Sequence, residues 1–215
     1  MFKKKPFFIV FEGIEGCGKS YQCKKLKSNL LKKGIKTILT REPGGTKSAE
    51  LIRKLILQDY FFKIKGEKFD KYTDTLLYLA SRNEHIKNNI KPSLRKKRII
   101  ICDRFIDSTL AYQVYGKKVN KNLISNIHKH ILGNLRPDIT ILLIANISRA
   151  MKRLNKRKKK NRYDKFTKTF YNNVQKAFIK ISKKNKKRYF VVDNTYDTTK
   201  TEKTIFNKFI QLLNK

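Results

Sequence analysis

The stretch of residues 7–20, FFIVFEGIEGCGKS, constrains the fold of this chain more than any other segment. It opens with an apolar run rich in β-branched and aromatic residues, which is typical of a buried strand. A glycine-rich turn follows, and a helical pattern of apolar residues comes after it. Gly13, Gly18, Lys19 and Ser20 fill the phosphate-loop pattern G-x-x-x-x-G-K-[ST]. The sequence therefore predicts a strand, an anion-binding turn and a helix in immediate succession.

The residue types in this turn suit the binding of nucleotide phosphates. Glycines allow backbone N–H groups to converge on an anion without a Cβ in the way. The partial positive charge at a helix N-terminus favours phosphate. A lysine adds a point charge for the terminal phosphates, and a serine hydroxyl can ligate Mg²⁺. The expected phosphate-binding residues are Gly13, Ile14, Glu15, Gly16, Cys17, Gly18, Lys19 and Ser20.

Short apolar segments alternate with helical patterns along the whole chain. The first predicted strand precedes the glycine turn, and the others are residues 36–40, 98–102, 139–145 and 189–192. The longest helical pattern, residues 72–94, is expected to bend or break near Pro92. The alternation predicts a single α/β domain over residues 1–215, a three-layer P-loop NTPase fold with a five-stranded parallel sheet flanked by helices. Ligands of such sheets bind at the carboxyl ends of the strands.

The charge balance is strongly basic, with 53 Lys and Arg against 16 Asp and Glu and a formal net charge of +37. Such a balance is typical of nucleic-acid-binding proteins, because basic patches release counterions from phosphates. The lysines are nevertheless scattered along the chain, apart from residues 156–160. Lys, Asn, Ile, Phe and Tyr are abundant together, as expected of an AT-rich genome. We therefore expect no nucleic-acid partner.

Three cysteines, Cys17, Cys23 and Cys102, show no metal-ligand spacing and no even-numbered disulfide pattern. Cys17, in the glycine turn, and Cys102, at the end of an apolar strand, are expected to be small residues in tightly packed places, in the reducing cytoplasm. No segment approaches the roughly 18 apolar residues of a membrane-spanning helix. The apolar run after the basic N-terminus leads directly into the glycine turn, so we expect it to be the first strand and not a signal peptide.

Four arginines stand where a second phosphate group could bind. Arg41 and Arg104 follow predicted strands, so both are expected at the sheet edge that carries the phosphate loop. Arg53 and Arg82 lie on predicted helices. The planar guanidinium group of arginine binds two oxygens of one phosphate at once. The sequence thus predicts a second anionic ligand beside the first.

Several longer motifs extend this pattern: TREPGGT at residues 40–46, IRK at 52–54, ASRNEHI at 80–86 and CDRFIDSTLAYQ at 102–113. Together with FEGIEGCGKS they make the chain resemble bacterial thymidylate kinases over nearly its full length. The combination of REPGG with DR[YF]…S…AYQ is highly specific to that family. The resemblance implies transfer of the γ-phosphoryl group of ATP to dTMP, which gives dTDP and ADP. It also implies Mg²⁺ as a cofactor and a homodimer formed through the helices around the long central one.

For the phosphates, the resemblance assigns roles to five residues. It implies that Lys19 and Ser20 hold the ATP phosphates and Mg²⁺, and that Asp103 helps to position Mg²⁺ and its waters. Arg41 and Arg104 are implied to bind the phosphate region of dTMP. No general base is expected, since the attacking phosphate oxygen is already ionised.

For the sugar and base, the resemblance implies that Glu15 binds the deoxyribose 3′-OH and that Tyr112 packs against C2′, where a ribose hydroxyl would clash. Tyr78 is implied to stack on thymine, Arg82 to hydrogen-bond the thymine ring and Arg53 to line the same pocket. Without the resemblance, Glu15 reads as a solvated loop carboxylate and Tyr78 as a core residue. Three more residues are implied to contact base and sugar: Ser108, Thr109 and Gln113.

A short mobile lid is expected at residues 156–165. Because Cys17 leaves the phosphate loop without an arginine of its own, Arg162 is the candidate to stabilise charge on the transferred phosphoryl group, together with Arg157. Phe166 stands where relatives commonly carry a second lid carboxylate, and Asn146 stands where an aspartate is frequent.

Two other functions remain open from the sequence alone. The first is a kinase for another nucleotide or for a deoxynucleoside, against which Tyr78, Arg82 and the AYQ segment argue. The second is a nucleic-acid-binding P-loop ATPase, which the net charge of +37 supports. Such a protein is expected to show a segregated basic face or an aromatic stacking platform, and the sequence shows neither clearly.

Overall fold

A computed structural model of the chain describes residues 6–57, 69–156, 166–196 and 198–214. Its centre is a five-stranded sheet in which all neighbouring strands are parallel, in the order β2-β3-β1-β4-β5. The strands are β1 (Phe7–Glu12), β2 (Thr37–Arg41), β3 (Ile99–Asp103), β4 (Ile139–Ile144) and β5 (Tyr189–Asp193). This architecture confirms the predicted α/β fold with a five-stranded parallel sheet.

Helices cover both faces of the sheet, so β1, at its centre, is buried on both sides. Because side chains alternate along a strand, Ile9 and Phe11 pack into one core with α1, α8 and α9, while Phe8 and Val10 pack into a second core on the opposite face. The helices of the described residues are α1 (Lys19–Lys32), α2 (Lys47–Leu57), α3 (Lys71–His85), α4 (Lys91–Arg95), α5 (Ile106–Thr109), α6 (Lys121–Leu132), α7 (Ile147–Asn155), α8 (Lys168–Lys184) and α9 (Thr198–Leu213). Within the described ranges, no helix combines the length and hydrophobicity that a membrane span needs.

The long helical pattern of residues 72–94 does form a continuous helical segment, but its irregular part differs from the expectation. A π-helical turn, Ile86–Ile90, joins α3 to α4, and Pro92 lies in the first turn of α4. Proline has no backbone N–H to donate to the preceding turn, and the regular i→i−4 hydrogen bonding is already interrupted by the π-helical turn before it. The interruption therefore comes before the proline.

Two further elements extend beyond their predicted bounds. The apolar pattern near the end of the chain predicts a helix from Thr204 onward, but α9 begins six residues earlier, at Thr198; β2 includes Arg41 as its last residue, one beyond the predicted end at residue 40. The start of α9 was not predicted because its first turn is polar: the buried residue there is Thr201, which does not contribute to an apolar pattern.

At the carboxyl edge of the sheet, residues that are far apart in the sequence lie side by side. In the parallel register, Phe11 of β1 lies beside Asp103 of β3, and Asp103 lies beside Arg41 of β2. The segments that follow these three residues therefore begin next to one another, which places the phosphate loop, the loop of residues 42–46 and the segment from Arg104 onward around one space.

Candidate functional site

The phosphate loop connects β1 to α1 in the conformation that its glycines allow. Gly13, Gly16 and Gly18 have φ angles of 139°, 73° and 97°, in the region that disfavours residues with a Cβ. A Cβ on Gly13 would meet the carbonyl group of Leu143, and one on Gly16 would meet the backbone of Ala150. These glycines thus allow both the backbone conformation of the loop and its close packing against Leu143 and Ala150.

Lys19 and Ser20 follow the loop at the start of α1. The Nζ atom of Lys19 is buried and donates to the carbonyl oxygen of Ile14 at 2.6 Å, so its charge lies inside the loop. The Ser20 hydroxyl donates to the carboxylate of Asp103 at the end of β3. A hydroxyl and a carboxylate are hard oxygen donors, which Mg²⁺ prefers. This pair of residues fits a magnesium site beside the loop.

A cleft with a volume of about 170 Å³ opens at this edge of the sheet. It is lined by Lys19, Ser20 and Asp103 and by four arginines that we call the arginine side: Arg41, Arg53, Arg82 and Arg104. All ten residues that were predicted to bind the second substrate line this cleft: Glu15, Arg41, Arg53, Tyr78, Arg82, Arg104, Ser108, Thr109, Tyr112 and Gln113. Among the predicted phosphate-loop residues, Glu15, Lys19 and Ser20 also line it.

Arg104 lies at the junction between the phosphate loop and the arginine side. Its backbone has a φ of 75°, and its guanidinium donates to the carbonyl oxygen of Gly13 and the hydroxyl of Ser108, both at 2.9 Å. It also pairs with Glu15 at 2.8 Å. Burial acts to lower the pKa of Arg104, but Glu15 and other nearby groups outweigh it, so the pKa is raised and the charge is secure.

Glu15 is held by two partners and is not a solvated carboxylate. One oxygen accepts from Arg104, and the other accepts from the phenol of Tyr112. Burial raises the pKa of Tyr112, and the neighbouring Glu15 adds to the rise, so the phenol keeps its proton as a donor. The guanidinium of Arg104 lies 5.1 Å from the centre of the Tyr112 ring. The side chains of Glu15, Arg104 and Tyr112 thus contact one another, and all three line the cleft.

Arg41 is positioned by Glu50 of α2, and Arg53 by the loop of residues 42–46. Arg41 is half exposed and pairs with Glu50 at 3.0 Å. Arg53 donates from Nη1 to the carbonyl oxygen of Pro43 at 2.6 Å. Burial and the nearby charge of Arg41 lower the pKa of Arg53. Two guanidinium groups that repel each other in a cleft favour the binding of an anion between them.

Arg82 is buried beneath the cleft wall, with 2% of its surface exposed. Its Nε atom pairs with Glu42 at 2.7 Å, and its Nη2 atom donates to the carbonyl oxygen of Phe105 at 2.9 Å. Burial alone would raise the pKa of Glu42, but Arg82 and His85 outweigh it, so this pKa is lowered. The carboxylate therefore stays charged and balances the buried guanidinium.

Aromatic and amide groups complete the cleft wall. Tyr78 on α3 is half-buried and contacts both the cleft and the core. Gln113 has 2% of its surface exposed, and among the residues described its Nε2 atom has no hydrogen-bond acceptor. A buried amide N–H without an acceptor is costly. Since Gln113 lines the cleft, a ligand carbonyl could supply the missing acceptor.

Comparison with known proteins identifies the fold and its family. A sequence model of the family Thymidylate kinase matches residues 11–205. The Thymidylate kinase of Mycoplasma capricolum subsp. capricolum is 38% identical over 208 residues, which cover 96% of this chain and 93% of the relative. That of Geotalea daltonii is 35% identical over 214 residues, with coverage of 96% and 98%. This chain belongs to the thymidylate kinase family.

A solved structure agrees with the sequence relatives. The crystal structure of thymidylate kinase from Ehrlichia chaffeensis matches the chain with a TM-score of 0.73 and 33% sequence identity, over 97% of this chain and 99% of that one. The predicted membership of the thymidylate kinase family is therefore confirmed, together with the α/β P-loop kinase fold.

In this thymidylate kinase family member, two residues outside the recognised motifs support the phosphate loop. Arg153 on α7 donates to the carbonyl oxygens of Gly16 at 3.3 Å and Asn194 at 3.0 Å. Asn194, fully buried after β5, donates to the carbonyl oxygen of Cys17 at 2.7 Å. The position of Asn194 two residues after the predicted strand 189–192 was the signal that could have indicated this role.

Glu12, which belongs to the motif FEGIEGCGKS, joins the end of β1 to the segment after β3. This last residue of β1 is completely buried and accepts from the backbone N–H groups of Phe105 at 2.8 Å and Ser108 at 3.1 Å. It also accepts from the Ser108 hydroxyl at 2.6 Å. Burial and the neighbouring Asp107 raise the pKa of Glu12 to about 8. The apolar strand pattern around Glu12 does not indicate that its carboxylate accepts these hydrogen bonds.

The expected lid of residues 156–165 lies outside the described residues, except for Lys156 at the end of α7. Arg157 and Arg162 are therefore not described. Phe166, which follows, stacks on Phe170 with ring centres 4.1 Å apart and packs against the core. That aromatic contact gives Phe166 a packing role where the resemblance implied a carboxylate. Asn146 accepts from the backbone N–H of Arg149 and caps α7.

Proposed function

We propose that this chain transfers the γ-phosphoryl group of ATP to dTMP and forms dTDP and ADP. As a thymidylate kinase family member it is an ATP-using kinase. The observation that carries the proposal is that Lys19 of the phosphate loop lines the same cleft as Arg41, Arg53 and Arg104. A triphosphate on the loop and a monophosphate on the arginines share that cleft, which brings donor and acceptor together.

The arginine side binds the acceptor nucleotide. Arg41 and Arg104 contact the dTMP phosphate, with Arg53 beside them, because planar guanidinium groups match phosphate oxygens. Glu15 accepts from the 3′-OH, and its bonds to Arg104 and Tyr112 support a fixed orientation. The Tyr112 ring fills the space where a 2′-hydroxyl would lie.

The base occupies the wall formed by Tyr78, Arg82 and Gln113. Tyr78 stacks on the ring. Arg82 and Gln113 offer N–H groups, which suit the carbonyl oxygens of thymine. Ser108 and Thr109 complete the contacts to base and sugar.

Phosphoryl transfer in this site depends on alignment and charge stabilisation. The backbone of residues 13–18 and the Lys19 ammonium bind the ATP phosphates, and Ser20 with Asp103 would hold Mg²⁺. When bound, Mg²⁺ supplies positive charge that neutralises the phosphates. The residues supply no general base, since the attacking oxygen of dTMP is already ionised. Arg162 of the lid supplies the guanidinium that the loop, with Cys17, does not carry.

We further propose a cytoplasmic homodimer of single-domain subunits that assemble through α2 and α3. These two helices pack together, and each carries an exposed apolar pair at helical spacing. Leu51 and Leu55 are 63% and 41% exposed, and Tyr72 and Leu76 are 39% and 49% exposed. Sedimentation velocity tests the proposal: Leu51→Lys with Leu76→Lys should convert a dimer to a monomer. Leu31→Lys, at a leucine of α1 that is 57% exposed, is the matched control.

An assay of ADP release with a panel of acceptors tests the proposed reaction. We expect release to depend on dTMP and to be much slower with dCMP, dGMP and thymidine, while dUMP measures how much the methyl group contributes. A kinase for another nucleotide would prefer a different member of the panel. Salt-dependent DNA binding without dTMP phosphorylation would contradict the proposal in favour of a nucleic-acid-binding ATPase.

A further inference from the structure

The buried guanidinium of Arg82 is held on nearly all sides by protein acceptors. Arginine has five N–H groups in one plane. Nε donates to Glu42 at 2.7 Å and Nη2 to the carbonyl oxygen of Phe105 at 2.9 Å. Nη1 lies 2.7 Å from both the hydroxyl of Thr109 and the Nε2 atom of His128. Among the described residues, four of the five N–H groups therefore have partners, and one on Nη2 remains for a ligand.

His128 reaches Arg82 from a different part of the fold. It lies on α6, whereas Arg82 lies on α3, and it is 7% exposed without lining the cleft. Because arginine only donates, the Nε2 atom of His128 must accept, so the imidazole is neutral. Burial lowers the pKa of His128 to about 3, and the charges of Arg82 and Arg136 contribute. The ring thus stays an acceptor at neutral pH.

We propose that His128 is a positioning residue that holds the Arg82 guanidinium in one plane, so that its remaining N–H meets a pyrimidine carbonyl and disfavours an amino group. The inference rests on the proposed function. A guanidinium held at four N–H groups cannot rotate away from an unsuitable base. Thymine offers a carbonyl at C4, whereas cytosine offers an amino group there, which would leave two donors facing each other. His128 thereby contributes to selection between these bases.

The surroundings of Arg82 explain why one acceptor matters. Glu42 holds only the Nε edge, and the Phe105 carbonyl holds only one Nη2 hydrogen. Without His128, an Nη1 hydrogen would be left unpaired in a buried position, which is costly. The guanidinium would then turn or tilt to find an acceptor, and its free N–H would no longer be fixed relative to the base.

Three variants of α6 separate this role from a general loss of stability. His128→Leu removes the acceptor at similar volume, and His128→Gln keeps a neutral acceptor. His130→Leu makes the same substitution at an exposed histidine of the same helix. For each variant, kcat and KM are measured with dTMP, dCMP and ATP, next to the melting temperature.

For His128→Leu we expect kcat/KM for dTMP to fall by about tenfold, the size of one lost hydrogen bond to a charged group. The preference for dTMP over dCMP should fall with it, and KM for ATP should stay within about twofold. His128→Gln should retain most of the activity and the preference. His130→Leu should behave as the unaltered protein.

A pH measurement reports the neutral state of His128 directly. In the unfolded chain a histidine titrates near its ordinary value of 6.5, but in the fold the pKa of His128 is about 3. The stability of the protein should therefore decrease as the pH falls through this range, and His128→Gln should decrease less.

The inference is overturned if a folded His128→Leu protein keeps its preference for dTMP, or if its KM values for ATP and dTMP rise equally. If His128→Leu does not fold, His128→Asn, whose shorter amide cannot reach Arg82, provides the same comparison. An unaltered protein that fails to phosphorylate dTMP overturns the proposed function instead, so the two failures are distinguishable.

Discussion

We propose that the phosphate loop and three residues of the arginine side, Arg41, Arg53 and Arg104, bind phosphate by different means. The loop is one contiguous segment, and its contacts come from the backbone, so its glycines matter because they lack side chains. The arginine side is assembled from β2, α2, α3 and the segment after β3, and its contacts come from guanidinium groups. Backbone sites should therefore be sensitive to added atoms, and side-chain sites to removed atoms.

Arg104→Ala tests the junction between the two regions and should have the largest effect. Its guanidinium contacts Gly13 of the loop as well as Glu15 and Ser108. We expect turnover of dTMP to fall by about a thousandfold, since a preorganised charge is lost at the reacting phosphates. Steady-state kinetics measure the change. Arg98→Ala, an exposed arginine before the same strand, is the control, and near-normal dTMP turnover in a folded Arg104→Ala protein would refute the role.

Gly16→Ala tests whether the loop is sensitive to added atoms. Both Gly16 and Gly34 have φ angles near 73°, so alanine is strained by about 1 kcal/mol at either position. Only at Gly16 does the added Cβ meet backbone, that of Ala150, while Gly34 has open space. We expect kcat/KM for ATP to fall by about a hundredfold in Gly16→Ala and hardly at all in Gly34→Ala. Equal kinetics in the two variants would show that packing around Gly16 does not matter.

Arg53→Ala tests the arginine side on its own. The side chain lines the cleft, whereas the adjacent Lys54 on α2 is exposed. We expect KM for dTMP to rise by about tenfold, the size of one lost charged hydrogen bond, while KM for ATP stays unchanged. Lys54→Ala should leave both constants unchanged. An equal rise in both KM values for Arg53→Ala would mean that the two regions are not separable in this way.

Glu12→Gln tests the hydrogen bonds that join the end of β1 to the segment after β3. Its effect is measured on the stability of the fold, and we expect it to be the smallest of the four. The pKa of Glu12 is raised from 4.5 to about 8 in the fold. Between these values the unfolded chain loses the proton while the fold retains it, so rising pH favours unfolding. The free energy of unfolding should fall by about 1 kcal/mol per pH unit near pH 7 relative to Glu12→Gln. If the free energy of unfolding depends on pH in the same way in both proteins, the raised pKa of Glu12 is contradicted.

Much of the fold was predictable because it depends on local patterns. The apolar runs marked all five strands to within one residue at most ends, and the glycines of the loop marked the turn after β1. The start of α9 and the place of the π-helical turn before Pro92 were not predictable, since neither depends on the local apolar pattern. A polar first turn and a π-helical turn are stabilised by contacts with neighbouring elements, so the spacing of apolar residues in the sequence does not predict them.

The sequence by itself determined the phosphate loop, the positions of the five strands along the chain and the family, because each is encoded in contiguous residues. Only the tertiary structure decided which buried groups support the site. His128 of α6 meets Arg82 of α3, and Asn194 after β5 meets the phosphate loop. These contacts join residues far apart in the chain, and their chemistry appears only when packing excludes water and makes each unpaired donor costly.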